Sequence, residues 1–268
     1  MTTTERGFTI IEVMLFLGIT GALFAALMVG VNTGITQQRY LDSTRSYKAL
    51  LQDQYAAALN VRIQKVDQIC HSVDDGAWIV GDGKRDEGDN NRWGASECVV
   101  LGRAIQITDG GDHDENGTAK GIRVSSIVGH LKSTAKIDDG TSDFDAIKAY
   151  NLILTNFDEE TSNMDWGSSL TTLKDAAGGA PGSKLNKIIL ILRSPVSGAL
   201  YTFYGEPSSS LDSIVETNTT SSKPQSELQT CISSDASGFL PKQMVTINPA
   251  IAGADAVSLD GGNKAECQ

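Results

Sequence analysis

The sequence feature that most constrains the fold is a long apolar segment near the N-terminus. Residues 13–31 contain nineteen residues without a charge, close to the roughly 20 that a helix needs to cross a bilayer. Extending the segment back to Phe8 gives twenty-four residues with one charge, Glu12. The segment predicts a membrane-spanning helix. Glu12 is a candidate functional residue, because a carboxylate inside a lipid-embedded helix costs about 2–3 kcal/mol.

Neither a secretory signal peptide nor a plain anchor explains this segment fully. A signal peptide has a basic region, a shorter apolar stretch and a cleavage site of small residues. Here the apolar run is long, and only Arg6 supplies a positive charge before it. A plain membrane anchor fits the length but leaves Glu12 without a role.

The residues around Glu12 match a processing signal. The run Arg6-Gly7-Phe8-Thr9-Ile10-Ile11-Glu12-Val13 resembles the prepilin signature of type IV pilins and type II secretion pseudopilins. The resemblance implies that a prepilin peptidase removes the leader, residues 1–7, by cutting after Gly7. It also implies that the new terminal residue Phe8 is N-methylated and that Glu12 acts in filament assembly.

Charge pairing gives Glu12 a physical role in such an assembly. The new ammonium at Phe8 and the carboxylate of Glu12 are both costly in lipid. Each can be neutralised by the opposite group on an adjacent subunit. An unpaired buried charge costs several kcal/mol, and pairing recovers much of that cost. The carboxylate would thus set the register between subunits.

Beyond the apolar segment the pattern becomes amphipathic. Residues at three- and four-residue steps form a stripe, as in a helix packed on one side: Tyr40, Tyr47, Leu51, Tyr55, Ala58, Arg62, Val66 and Ile69. The pattern predicts one helix from near Phe8 to near Cys70, roughly 95 Å long at 1.5 Å per residue. The alternative is two helices broken near residues 32–34, because Gly34 is a weak helix former.

From Cys70 onward, short apolar runs alternate with loops rich in Gly, Asp, Asn and Ser. Six strands are predicted, at residues 78–80, 98–107, 121–128, 150–156, 187–193 and 199–204. The run 188–192 is continuously apolar, which is typical of a central buried strand, and residues 195–198 predict a hairpin turn. Short connections favour antiparallel pairing. Short helices are predicted at 144–148 and 170–177, and an exposed Ser/Thr-rich loop at 208–222.

These patterns predict an α+β fold. A long N-terminal helix, membrane-spanning in its first half and amphipathic in its second, packs on an antiparallel β-sheet head with a loop-rich C-terminal region. The predicted division is a prepilin leader at residues 1–7, a transmembrane and filament-core helix at 8–31, an amphipathic stem at 32–70 and an extracytoplasmic head at 71–268. The full length of 268 residues suffices for one sizeable core.

Four cysteines indicate the compartment of the head. Cys70, Cys98, Cys231 and Cys267 form no C-x-x-C pair, which argues against a zinc ribbon. Three disulfide connectivities are open, and sequence proximity suggests Cys70–Cys98 with Cys231–Cys267. Disulfides need an oxidising compartment, so this interpretation places the head outside the cytoplasm. The alternative is four reduced, buried thiols.

An acidic loop at residues 109–117 is a candidate calcium site. Asp112, Asp114 and Asn116, followed by Gly117, match the first half of an EF-hand loop, whose alternating oxygens suit a hard cation. Arg123 stands where that loop needs a bidentate glutamate. The alternative is a solvated turn, for which Asp, Asn and Gly are ordinary residues. We expect no other cofactor.

Charge and motif content disfavour catalysis and nucleic-acid binding. The net charge of −11 repels nucleic acid over most of the surface, so no specific nucleic-acid binding is expected. His71, His113 and His130 are scattered, and the sequence has no G-x-S-x-G, H-E-x-x-H or P-loop motif. We expect a protein that is not an enzyme.

The resemblance implies a filament subunit, and the large head favours a minor pilin or pseudopilin. Implied partners are other pilin subunits, the prepilin peptidase, the inner-membrane assembly platform with its ATPase, and the membrane itself. The chain would lie in the inner membrane before assembly and in an extracellular filament afterwards. Such filaments serve adhesion, motility, DNA uptake or secretion. The alternative is a single-span membrane protein whose ligand-binding head never polymerises.

Overall fold

The fold is described from a computed structural model. It describes residues 9–60, 68–72, 78–82, 98–111, 121–138, 140–155, 158–172, 183–220, 226–234, 243–260 and 267. For residues 68–72 and 78–82 the description covers the backbone alone. Within these ranges the chain combines a long N-terminal helix with antiparallel sheets, which confirms the predicted α+β class.

Helix α1, Ile10–Leu59, is continuous over 50 residues, or about 75 Å at 1.5 Å per residue. Thr9 caps its N-terminus, since the Thr9 hydroxyl oxygen accepts a hydrogen bond of 3.3 Å from the backbone N–H of Glu12. The helix runs through residues 32–34 without a break, so the alternative of two helices is wrong. The hydroxyl of Thr33 donates to the carbonyl of Val29, a bond that helical backbone permits.

The helix ends earlier than predicted. It stops at Leu59, not near Cys70, because Asn60 leaves helical conformation (φ −98°, ψ 66°). Both the backbone N–H and the side-chain amide of Asn60 donate to the Ala56 carbonyl, which closes the last turn. The backbone of Gln68–Ser72 then forms a strand. Within its described residues, the predicted stem 32–70 is therefore helical to Leu59 and a strand from Gln68.

The described ranges hold twelve strands and two further α-helices. The strands are β1 (Gln68–Ser72), β2 (Trp78–Asp82), β3 (Cys98–Thr108), β4 (Gly121–Leu131), β5 (Tyr150–Leu154), β6 (Glu160–Ser162), β7 (Ser168–Thr172), β8 (Lys187–Arg193), β9 (Leu200–Gly205), β10 (Leu228–Ser234), β11 (Gln243–Ile247) and β12 (Val257–Asp260). The helices are α2 (Asp143–Lys148) and α3 (Leu211–Thr220).

The strands form three antiparallel sheets. The largest has six strands in the order β5-β4-β3-β8-β9, with β6 also paired to β4. A four-stranded sheet has the order β12-β11-β10-β7, and β1 pairs with β2 alone. The hairpin predicted at residues 195–198 joins β8 to β9. All six predicted strands are present, with ends shifted by a few residues.

Two cores lie on opposite faces of the six-stranded sheet. The second half of α1 packs between that sheet and the four-stranded one, and Leu51 and Tyr55 are fully buried there. Helices α2 and α3 cover the opposite face. Strand β8 serves both cores, because alternate side chains point to opposite faces. Its Ile189 and Ile191 face α1, and its Leu190 and Leu192 face α2 and α3.

Two predicted elements of the head are wrong. The loop predicted at residues 208–222 is wrong over residues 211–220, because Leu211–Thr220 is helix α3. Leu211, Ile214 and Val215 place three apolar side chains on one face, and their burial outweighs the low helix propensity of the Ser/Thr-rich sequence. The helix predicted at 170–177 is also wrong over its described residues, since Ser168–Thr172 is β7 and pairs with β10.

Candidate functional site: the exposed half of the N-terminal helix

Burial divides α1 into two halves. No side chain of residues 10–39 is buried, and burial begins at Tyr40. We call residues 10–35 the apolar half. It exposes fifteen large hydrophobic side chains: Ile10, Ile11, Val13, Met14, Leu15, Phe16, Leu17, Ile19, Leu23, Phe24, Leu27, Met28, Val29, Val31 and Ile35. Their exposed fractions run from 42% to 80%. The head therefore covers only the second half of the helix.

The apolar half requires a non-aqueous environment. Burying a Val, Leu, Ile, Phe or Met side chain is worth about 1.5–3 kcal/mol, and exposed apolar patches of this size mark membrane or protein contacts. Its most apolar 18-residue window has a mean hydropathy of 2.3, with no part buried. By length and composition, α1 can span a membrane.

Glu12 lies in the first turn of α1. It is the one charged residue between residues 10 and 38, and Arg39 is the next charge along the chain. Its side chain is exposed. The unpaired N–H groups of the first turn favour a negative charge there. Glu12 thus places a single carboxylate at the end of a helix surface that is otherwise uncharged up to Arg39.

The predicted processing site precedes this turn. Gly7 and Phe8 lie outside the described residues, so cleavage between them and methylation of Phe8 remain predictions. The description begins at Thr9, two residues after Gly7.

A polar network fixes the second half of α1 to the six-stranded sheet. The Arg103 Nε–H donates to Gln54 Oε1 of α1 at 3.0 Å, and Arg103 Nη1 lies 2.5 Å from Asp158 Oδ2. Asp158 also accepts hydrogen bonds from Ser126 and Thr155. Burial raises the pKa of the Asp158 carboxyl, but these hydrogen bonds and the Arg103 charge outweigh it, so the pKa is lowered.

Buried tyrosines fix α1 to both sheets. The Tyr40 hydroxyl donates to the Ile232 carbonyl of β10 at 2.9 Å and accepts from the Gln243 N–H of β11 at 2.7 Å. The Tyr55 hydroxyl lies 2.7 Å from the Thr202 hydroxyl of β9. The sequence predicted these tyrosines as part of a packed stripe, but their hydrogen-bond partners lie on distant strands. The apolar half therefore projects from a helix held at several points.

The cysteine predictions are confirmed for one pair. Cys231 of β10 is bonded to Cys267, with Cα atoms 5.6 Å apart. This bond ties the C-terminal residues to the four-stranded sheet, where Cys231, Met244 and Cys267 pack together. Cys98 is also disulfide-bonded. The side chain of Cys70 lies outside the described residues, so the Cys70–Cys98 pairing remains a prediction.

The predicted calcium ligands Asp112, Asp114 and Asn116 lie outside the described residues, and calcium binding remains a prediction. Their loop begins at Asp109. Asp109 Oδ1 lies 3.4 Å from Lys184 Nζ, and the Asp109 N–H donates to Asn186 Oδ1 at 2.7 Å. The nearest acidic residue before the predicted ligands therefore already has a cationic partner.

A small cleft lies beside α1 where it meets the head. It has a volume of about 40 Å³ and is lined by Ser43, Tyr47, Ile122 and Met164 among others. A water molecule needs about 10–15 Å³ by this measure. The cleft therefore has room for a few waters and is too small for an organic substrate.

The fold and this site define an α+β protein whose N-terminal helix carries a long exposed apolar half. No protein-family model matches the chain, and no curated protein or solved structure matches it significantly.

Proposed function

We propose that this chain is a type IV pilin-like filament subunit without enzymatic activity, in the role of a minor pilin or pseudopilin. It is made as a membrane-anchored precursor, cleaved after Gly7 by a prepilin peptidase and methylated at Phe8. The observation that carries the proposal is the division of α1. Its second half is buried in the head. Its apolar half carries one carboxylate, Glu12, and its large hydrophobic side chains are exposed.

An all-round apolar helix suits two successive environments. Lipid covers it in the precursor, and the same half of neighbouring subunits covers it in a filament. A helix that is hydrophobic on every side is normally buried in one of these ways. The same fifteen side chains would serve both states, so the chain needs no refolding between them.

Glu12 gives a reason to leave the lipid. A carboxylate within the membrane is costly, whereas in a filament it would pair with the Phe8 ammonium of an adjacent subunit. Pairing recovers much of the cost of an unpaired buried charge. A helix surface with a single carboxylate therefore favours assembly with the subunits in a defined register. The assembly platform that the prepilin signature implies would carry out this step.

The head is suited to display outside the cytoplasm. The Cys231–Cys267 disulfide is a bond of oxidising compartments. The hydrogen bonds that involve Gln54, Tyr40 and Tyr55 hold the head at a fixed place along α1. The position of each head on a filament would follow from the register of its helix. The size of the head supports a specialised subunit that primes or decorates the filament.

Mass spectrometry of the mature N-terminus tests the proposal. The chain is expressed with an active prepilin peptidase, and its terminal peptide is sequenced by tandem mass spectrometry. We expect a chain that begins at Phe8 with one added methyl group. A Gly7→Val variant is the control and should retain Met1, because a glycine at the cut site adapts to an extended protease cleft.

A wild-type chain that still begins at Met1 beside an active peptidase would contradict the proposal. That result would favour a single-span membrane protein whose head binds a ligand without polymerising. The same membrane extraction would recover either protein, so the terminal peptide alone separates them.

A further inference from the structure

Trp166 of the head lies beside Arg39 of α1. Arg39 is the first charged residue after Glu12, and its guanidinium carbon lies 4.8 Å from the centroid of the Trp166 ring. Trp166 belongs to the short turn Asp165–Gly167, which contacts α1 and leads into β7. The Arg39–Trp166 pair therefore joins a loop of the head to the boundary of the apolar half.

Trp166 is held in an unusual state for so large an apolar side chain. It is 58% exposed, and its backbone has φ 58° and ψ 33°. The left-handed region costs a non-glycine residue about 1–2 kcal/mol. Strain of this kind persists where the surrounding structure enforces it and is concentrated at functional sites. An exposed indole in a strained turn calls for a contact beyond the head itself.

The position of the pair along α1 matches the headgroup layer of a bilayer. Ile35, the last exposed large apolar residue of the apolar half, is four residues before Arg39, or about 6 Å along the axis. A bilayer has a hydrocarbon core of about 30 Å within a total of about 40–45 Å. Each headgroup layer is therefore about 5–7 Å thick. Glu12 and Ile35 are about 35 Å apart along the axis, so a helix tilted by about 30° places both at the edges of the core. Arg39 and Trp166 then lie at the outer headgroups.

The chemistry of the pair also suits that layer. Tryptophan is enriched at membrane interfaces, where its ring meets the acyl boundary and its N–H stays among polar groups. Arginine lays its aliphatic stem along apolar surface and keeps its charge among headgroups. The neighbouring carboxylates of Asp42 and Asp165, with a net charge of −11 for the chain, argue against simple attraction to anionic lipid. Insertion of the ring would drive the contact.

We propose that Arg39 and Trp166 form a membrane-interface contact that seats the head on the outer headgroup layer of the bilayer carrying the apolar half. The contact rests on the membrane-anchored precursor of the proposed function. It fixes the height and orientation of the head above the bilayer before assembly. The lipid interface is the occupant because the pair is continuous with a helix surface that lies in lipid in the proposed precursor.

Fluorescence quenching by brominated lipid tests this contact on the full chain. The chain is reconstituted in phosphatidylcholine vesicles with bromine at a shallow or a deep acyl position. The signal of Trp166 is the difference between the wild type and Trp166→Phe, which leaves Trp78 and Trp93 in place. We expect shallow bromine to quench this difference signal more than deep bromine. A difference signal untouched by bromine but fully quenched by iodide in the buffer would overturn the contact.

Flotation of the same vesicles separates this inference from the anchor. A chain that floats with the vesicles while Trp166 stays unquenched overturns the interface contact and leaves the anchor intact. A chain that does not float overturns both.

Two arginine variants test whether Arg39 contributes to the contact. Arg39→Gln should reduce the quenching of Trp166 by shallow bromine. Arg45→Gln removes an exposed charge further along the same helix and should leave the quenching unchanged. An equal effect of the two variants would overturn the role of Arg39, because general charge would then explain it.

Discussion

The side-chain oxygens of Tyr55 and Thr202 lie 2.7 Å apart, and this hydrogen bond joins α1 to β9 in the interior of the head. The two residues are 147 positions apart in the sequence, and both are buried. The bond can form only when the second half of α1 is seated on the six-stranded sheet. It is therefore a local measure of the junction that carries the apolar half.

Replacing Tyr55 with Phe should destabilise the head by about 1–2 kcal/mol, because a buried hydrogen bond is lost while the ring is kept. Chemical denaturation of the detergent-solubilised full chain, followed by near-ultraviolet circular dichroism, measures this loss. Tyr204→Phe is the control, since the Tyr204 hydroxyl bonds to Ser226 at an exposed site where water can replace it. Equal losses for the two variants would contradict the importance of the buried bond.

The same tyrosines predict a loss of stability at alkaline pH. Burial raises the pKa of Tyr40, Tyr47 and Tyr55, to about 12 for Tyr55, from an ordinary 10.0. Above pH 10 the unfolded chain releases protons that the native state retains. Stability should therefore be intact below pH 10 and fall as the pH rises above 10, with Tyr55 contributing a slope of up to about 1.4 kcal/mol per pH unit between pH 10 and 12.

Denaturation midpoints at several pH values, with tyrosinate absorbance recorded in parallel, check this prediction. In Tyr55→Phe the free energy of unfolding should fall less steeply with pH, because one of the three buried tyrosine hydroxyls that ionise on unfolding is removed. A free energy of unfolding that stays constant from pH 10 to 12 would contradict the burial of these hydroxyls.

Much of this fold could be predicted from periodicity. The stripe containing Tyr40, Tyr47 and Tyr55 follows helical spacing, and all of its members within α1 are buried. The continuous apolar run in β8 predicted a central strand, and β8 lies between β3 and β9 with a core on each face. Such signals are visible in the sequence because burial of one face leaves a periodic apolar pattern, and burial of both faces leaves a continuous apolar run.

The elements that could not be predicted depend on distant residues. Helix α3 is rich in Ser and Thr, and only its burial against the six-stranded sheet reveals Leu211 and Ile214 as a packed face. The pair Arg103–Asp158 is separated by 55 residues, and neither residue has a local pattern. The turn at Trp166 has no sequence signal beyond the glycine that follows it. Its place beside Arg39 depends on how the head packs against α1.

Adding one methyl group at Gly102 of β3 should strongly destabilise the head. A Cβ atom there would lie 1.9 Å from the Ile191 carbonyl oxygen of β8, so β3 and β8 would have to separate. Gly102→Ala should cost about 3 kcal/mol or more, measured as a shift of the denaturation midpoint. Gly34→Ala is the matched control. Its Cβ meets nothing within 4 Å, and alanine favours helix by about 1 kcal/mol. A harmless Gly102→Ala would contradict the close approach of the strands.

The Cys231–Cys267 bond should contribute substantially to stability. It closes a loop with a sequence separation of 36, and removal of a native disulfide typically costs about 2–5 kcal/mol. The double variant Cys231→Ala with Cys267→Ala should lower the denaturation midpoint accordingly. The comparison is made under oxidising conditions, so that the bond at Cys98 remains formed in both proteins. Identical midpoints would show that the C-terminal residues add nothing to the four-stranded sheet.

Glu12 tests the assembly step itself. Glu12→Gln keeps the shape of the side chain but removes the charge that would pair with the Phe8 ammonium of a neighbour. The variant should be cleaved and inserted normally, because the processing residues and the apolar half are unchanged. Its incorporation should fall at least about tenfold, since an unpaired buried ammonium costs several kcal/mol. Immunoblots of sheared filaments and membranes, from cells with an active assembly machinery, give the incorporated fraction.

Asp53→Asn is the matched control for that measurement. Asp53 is an exposed carboxylate of α1 outside the apolar half, so its loss changes the net charge equally without touching the filament core. We expect it to assemble like the wild type. Wild-type incorporation of Glu12→Gln would remove the charge-pairing argument while leaving the anchor in place. A deficit of the same size in Asp53→Asn would show that net charge matters, rather than the position of Glu12 in the first turn.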